Sequence, residues 1–167
     1  MTKRCLFVCM GNICRSPAAE GVMQRFAEEL RANVSIDSAG THGYHVGDPP
    51  DQRMIQAAAA RGYELHSRAR QVAKSDLDGS HFDLVIAMDS ENHSALLAMA
   101  SGSTDHIRMF SDYLDSDEYP SDVPDPYYGE SEGFDVVLDM LEEGCPIILQ
   151  SLVGADLMEA EFDTDFG

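Results

Sequence analysis

Residues 5–17 read CLFVCMGNICRSP, an apolar run that stops at Gly11-Asn12 and continues into a third cysteine, an arginine and Ser-Pro. A short apolar segment closed by Gly-Asn reads as a buried strand of a parallel sheet. Ser16-Pro17 then supplies a helix N-cap followed by proline at the first helical position. Ala19, Val22, Met23, Phe26, Ala27 and Leu30 recur at helical spacing, which predicts a helix from Ala18 to about Ala32. A strand that turns directly into a helix aims backbone N–H groups at whatever lies above the helix N-terminus, and that is an anion site. Gly11 permits the backbone conformations of such a cradle, Asn12 tolerates left-handed geometry, and Arg15 presents a planar fork to two phosphate oxygens. Cys9 stands at its mouth. The field that would hold a dianion also favours a thiolate, the nucleophilic form of cysteine. The spacing C-x5-R is common by chance, but the whole string C-x-G-N-x-C-R-S-P between a strand and a helix is far more restrictive.

Further along, Val34–Asp37 reads as a second strand, followed by the polar, Gly-rich loop SAGTHGYHVGDPP. Asp51–Arg61 is Ala-rich and closes on Gly62, a helix with its C-terminal glycine. FDLVIAMD (82–89) is the plainest strand, after which Ser90 caps a helix to about Ala100. HIRMF (106–110) gives a fourth strand, 111–132 is loop-like, and 134–157 has a helical pattern with a break expected at Gly144-Cys145-Pro146. Strands alternating with helices predict an α/β fold: a single domain with a four-stranded parallel sheet and helices on both faces. Ligands bind such sheets beyond the carboxyl ends of the strands, where Cys9 and Asp89 fall. Residues 1–158 form the expected domain, and the acidic stretch 159–167 a mobile tail.

The 167 residues suffice for one domain with a substantial core. Thirty acidic against eleven basic residues give a net charge of −19, which argues against nucleic acid as a partner. No run approaches membrane-spanning length. The first apolar run is too short for a signal peptide. Four cysteines, Cys5, Cys9, Cys14 and Cys145, make neither a secreted disulfide framework nor a paired zinc motif. A cytoplasmic protein with free thiols is expected, needing no metal and no cofactor.

Five stretches together carry a family resemblance: VCMGNICRSP at 8–17, DSAGT at 37–41, HSRARQV at 66–72, FDLVIAMD at 82–89 and DPYYG at 125–129. From Lys3 to about Val153 the chain resembles the low-molecular-weight protein tyrosine phosphatases. The resemblance implies a flavodoxin-like fold of the phosphotyrosine phosphatase I type and hydrolysis of phosphotyrosine and small aryl phosphate monoesters through a phosphocysteine. It implies that Cys9 is the nucleophile, that Arg15 clamps the transferring group and that Asp125 is the general acid. Chemistry asks for a carboxyl group, but only the resemblance selects Asp125 among so many. The phosphate loop would comprise Met10, Gly11, Asn12, Ile13, Cys14 and Ser16, with Ser38 and His66 supporting Asn12. Ile13, Tyr127 and Tyr128 would wall the substrate pocket, with Tyr44 opposite, or His42 or His45 from the same loop. Cys14 corresponds to the second loop cysteine that pairs reversibly with the nucleophile under oxidation. The partner implied is a tyrosine-phosphorylated protein, a tyrosine kinase being one candidate; phosphate and other oxyanions would inhibit.

Two relatives of this chemistry compete. Arsenate reductase shares a C-x5-R loop but needs two further cysteines close together, and Cys5 and Cys145 lie far apart along the chain. Protein arginine phosphatase would use the same catalytic residues, though a threonine in place of Ile13 would have pointed there. The strong negative charge should repel anionic substrates, yet screening over about 8 Å at physiological salt leaves the loop contacts dominant. For a small aryl phosphate, kcat/KM is expected to rise from very low to moderate ionic strength. A flat or falling profile would contradict this.

Overall fold

The computed structural model describes residues 2–166, with side chains for 2–154. Four parallel strands, β1 (Lys3–Cys9), β2 (Val34–Gly40), β3 (Leu84–Ala87) and β4 (Ile107–Met109), form one sheet in the order β2-β1-β3-β4. Helices α1 (Arg15–Glu29), α2 (Gln52–Ala60), α3 (Ser90–Met99) and α4 (Glu132–Phe166) connect and cover it. The side chains of β1 alternate between two cores. Cys5, Phe7 and Cys9 join α1, α2 and α4 on one face, while Leu6 and Val8 meet Leu96 of α3 on the other. Burial on both faces explains why β1 reads as continuously apolar. Because β2 lies on one side of β1 and β3 on the other, the sheet's switch point opens at the carboxyl ends of β1 and β3. The expected α/β architecture is the observed one. No helix among the described residues is long and apolar enough to cross a membrane.

Local departures from expectation have physical causes. Strand β2 extends to Gly40, because Ser38, Ala39 and Gly40 pair in register with Phe7, Val8 and Cys9. Ser16 is not a cap: α1 begins at Arg15 without a side-chain cap, and the Ser16 hydroxyl lies against the Cys9 sulfur instead. The first-turn N–H groups therefore stay available to an anion. Asp89, not Ser90, caps α3, its carboxylate accepting from the Asn92 N–H at 2.8 Å. The expected break at Gly144–Pro146 is absent. Helix α4 runs through Pro146 and departs from helical geometry at Gly154 (φ 15°, ψ −92°). Cys145, Ile148 and Leu149 are fully buried there, so packing outweighs the missing proline N–H. The tail expected over 159–167 lies outside the residues whose side chains are described.

Gly144 of α4 packs against Phe110, itself fully buried: an added β-carbon would lie 2.4 Å from the Phe110 ring. Helix propensity alone would make Gly144→Ala stabilising by about 1 kcal/mol. Overpacking costs about 1–3 kcal/mol and should win. A lower urea midpoint at unchanged m-value is the expected outcome.

Candidate active site

The segment between β1 and α1 curls around the sulfur of Cys9, which is only 3% exposed. Asn12 turns the chain with a left-handed φ of 58°, and its N–H donates to Cys9 Sγ at 3.3 Å. The Asn12 carboxamide holds the curl in place. Its Nδ2 donates to Ser16 Oγ (2.8 Å) and Ser38 Oγ (3.0 Å), and its Oδ1 accepts from the Arg70 backbone N–H (3.0 Å). Ser38 donates onward to Glu20, whose carboxyl is pushed up by burial against the opposing pull of that bond. Gly40 presses on the same loop: a β-carbon there would sit 2.7 Å from the Met10 carbonyl oxygen and 3.1 Å from the Asn12 nitrogen. Only glycine allows strand and loop to approach so closely. The N–H groups of Thr41 and His42 donate to the Cys9 and Met10 carbonyls, both at 2.9 Å.

Arg15 is buried beside this loop. One guanidinium nitrogen donates to Asp89 Oδ2 (2.6 Å) and to the Val123 carbonyl (3.0 Å); the other lies 3.7 Å from Asp125 Oδ2. Burial disfavours its charge, but attraction to Cys9, Asp89 and Asp125 outweighs that and holds the guanidinium protonated more firmly than usual. A fixed cation thus stands next to a sulfur that already receives one N–H and lies 3.0 Å from the Ser16 hydroxyl.

Above the loop opens a cavity of about 240 Å³, lined by Ile13, Tyr44, His45, Tyr127 and Tyr128, and by Asp125 beside Arg15. The His45 and Tyr127 rings face each other at 6.2 Å, and Tyr128 meets Tyr127 edge-on at 4.9 Å. Tyr44 stacks on His42 at 5.3 Å and remains largely exposed. The site is a narrow aromatic slot with a thiol, a fixed guanidinium and a carboxyl group at its base.

Residues 4–157 match the family model described as low molecular weight phosphotyrosine protein phosphatase. The chain belongs to that family. A Synechocystis sp. relative assigned to it is 46% identical over 151 residues, 88% of this chain and 94% of its own. The low molecular weight protein-tyrosine-phosphatase YfkJ of Bacillus subtilis is 40% identical over the same coverage of both chains. Among solved structures, the protein tyrosine phosphatase of Entamoeba histolytica superposes with a TM-score of 0.86 at 38% identity, over 92% of this chain and 99% of that one.

Within this phosphatase-family fold, Cys9 and Arg15 of one short stretch meet Asp125 from a distant loop, and Met10, Gly11, Ile13 and Cys14 line the same cavity. Ser38 meets Asn12, and Ser16 meets both Asn12 and the Cys9 sulfur. His66 is not brought in: its imidazole is exposed and meets Glu64 at 3.1 Å, while the Arg70 backbone takes the bond to Asn12. The second wall involves both Tyr44 and His45. Burial, reinforced by Asp51, pushes the Cys14 thiol up. Sequence reasoning missed Glu20 and Arg70 as supports and Asp89 as the partner of Arg15. A carboxylate directly after a fully apolar strand is the signal that could have exposed Asp89. Glu20, a half-buried acid on the otherwise apolar face of α1, offered a similar clue.

Asn12→Ala would leave buried polar partners unmatched and place a β-branchless but chiral residue in left-handed geometry. A stability loss of about 2–4 kcal/mol by denaturant titration is expected. In the same variant kcat/KM toward an aryl phosphate should fall by about 10²-fold, because the loop no longer holds its reacting groups in register.

Proposed function

We propose that this protein hydrolyses phosphotyrosine monoesters through a phosphocysteine. The observation that carries the reading is the convergence of Cys9, the Arg15 guanidinium and the Asp125 carboxyl group at the base of one aromatic slot. In the first step the Cys9 thiolate attacks phosphorus in line as the bond to the aryl oxygen breaks. Asp125, acting as general acid, gives its proton to the departing phenolate. The equatorial oxygens carry the developing charge, and Arg15 with the loop N–H groups offsets it. In the second step Asp125 takes a proton from water as that water attacks phosphorus. The sulfur–phosphorus bond breaks, releasing inorganic phosphate and the thiolate, which the Ser16 hydroxyl and the Asn12 N–H stabilise as hydrogen-bond donors.

The aromatic walls of the slot, Tyr44, His45, Tyr127 and Tyr128, support aryl over alkyl phosphates, since a seryl ester offers them no ring to pack against. Its substrates are tyrosine-phosphorylated proteins, a tyrosine kinase being one class of candidate. Four free, buried thiols accord with action in the cytoplasm. We also assign Cys9 and Cys14 a reversible disulfide: peroxide oxidises Cys9 to a sulfenic acid, which condenses with the Cys14 thiol and releases water. The arsenate reductase reading lacks support, because Cys5 and Cys145 are both buried in the core.

Cys9→Ser should abolish turnover of p-nitrophenyl phosphate, and Asp125→Ala should lower kcat for phenyl phosphate, whose leaving group needs a proton, by about 10²–10⁴-fold. Phosphotyrosyl and phosphoarginyl peptides assayed side by side should favour phosphotyrosine. A preference for phosphoarginine would transfer the assignment to arginine phosphatase, and full activity of Cys9→Ser would refute it.

A further inference from the structure

The loop that carries Asp125 is tied to the rest of the molecule unevenly. Upstream of the aspartate it is anchored several times. The Asp122 carboxylate accepts from the Ser90 N–H, the Val123 N–H donates to the Met88 carbonyl, and the Val123 carbonyl accepts from Arg15. Downstream, residues 126–131 hydrogen-bond mainly to themselves and to the start of α4: Gly129 N–H to Pro126, Gly133 N–H to Glu130, Phe134 N–H to Ser131. Among the described residues, one hydrogen bond links that half to another part of the fold. It is donated by Arg53 to the Tyr127 carbonyl at 3.0 Å.

Arg53 is an odd residue for its place. It occupies the first turn of α2, where the helix dipole disfavours a cation. Asp51 compensates, accepting from both faces of the guanidinium fork at 3.1 and 2.9 Å while also capping the helix through the Arg53 N–H. The fork is held over the rings of Tyr127 (5.6 Å) and Phe134 (4.9 Å). Asp51 in turn donates its own N–H to the Ile13 carbonyl at 2.7 Å. A continuous chain of contacts therefore runs from the phosphate loop through Asp51 and Arg53 to Tyr127. The Tyr127 N–H donates to Asp125 Oδ1 at 3.0 Å and orients the carboxyl group.

We propose that Arg53 is a positioning residue for general-acid catalysis, holding the Asp125 loop at a fixed height above the phosphate loop through Asp51. The proposal rests on the reading of Asp125 as the acid. Arg53 does not line the cavity and reaches Asp125 through Tyr127. Its side chain is about half exposed, so its ion pair with Asp51 adds little to global stability. The bond to Tyr127 serves chiefly to place the acid.

A displaced acid matters in proportion to how much the leaving oxygen needs a proton. Nitrophenolate departs readily without one; phenolate does not. Arg53→Gln should therefore lower kcat for phenyl phosphate by about tenfold while changing kcat for p-nitrophenyl phosphate by less than about threefold, a misplacement effect read at the acid alone. Arg53→Lys keeps the charge over the rings but not the two-sided fork, and should recover part of the phenyl phosphate loss. Thermal unfolding of both variants should stay within a few degrees of the parent. Asp125→Asn serves as the reference. If it lowers both substrates equally, the acid assignment fails. If it discriminates between them and Arg53→Gln does not, the acid stands and the positioning role of Arg53 is overturned. A uniform loss in Arg53→Gln for both substrates would also overturn it, as that is the pattern of general loop damage.

Discussion

The chain between β1 and α1 stays curled around a sulfur because one buried carboxamide satisfies three groups at once. Asn12 ties Ser16 on the following helix, Ser38 on the neighbouring strand and the Arg70 backbone on a distant loop. Remove those bonds and the curl has no local reason to persist, since left-handed backbone is unfavourable for an L-residue. The rest of the site assumes it. Arg15 can lie buried beside Cys9 only while the turn directs its helix outward from that point, and the aromatic slot has a floor only while the loop is open.

Charge placement follows the same economy. The protein is strongly acidic, yet its one deeply buried guanidinium belongs to the site and is neutralised by Asp89, with Asp125 nearby. Removing either acid would leave a buried cation less well matched, and such groups are costly. Asp89 also caps α3, so the residue that steadies Arg15 is itself fixed by a helix end. Two devices share one carboxylate. The outer carboxylates, screened by salt, have no comparable grip on events inside the cavity.

Much of this was legible in the sequence where backbone and chemistry coincide locally. The strand, turn and helix around Cys9 were readable because periodicity, Gly-Asn and Arg15 all lie within one short stretch. The parallel sheet followed from alternation. What escaped was set by tertiary pairing. Ser16 and Pro17 look like a helix start, but proximity to Cys9 turned that hydroxyl to a different partner. Pro146 looks like a break, but burial of its neighbours carried the helix past it. His66 sits in a stretch shared with the family, yet its side chain points into solvent and its expected bond goes to a backbone amide, which no side-chain pattern announces. Asp89, Glu20 and Arg53 meet partners 74, 18 and 74 residues away, so spacing could flag an acid such as Asp89 as unusual but could not name its partner.

Cys9 ends one of the two inner strands of the sheet, flanked by β2 and β3 and buried on both faces up to its last residue. Cys9 is consequently mounted on a core strand, the kind of element expected to exchange its amide hydrogens last, not on a surface segment. Partial fraying at the outer strand β4 or at the helix ends leaves its setting intact. Inactivation by heat should then coincide with cooperative melting of the whole domain, so that the catalytic lifetime of the enzyme is the lifetime of its sheet.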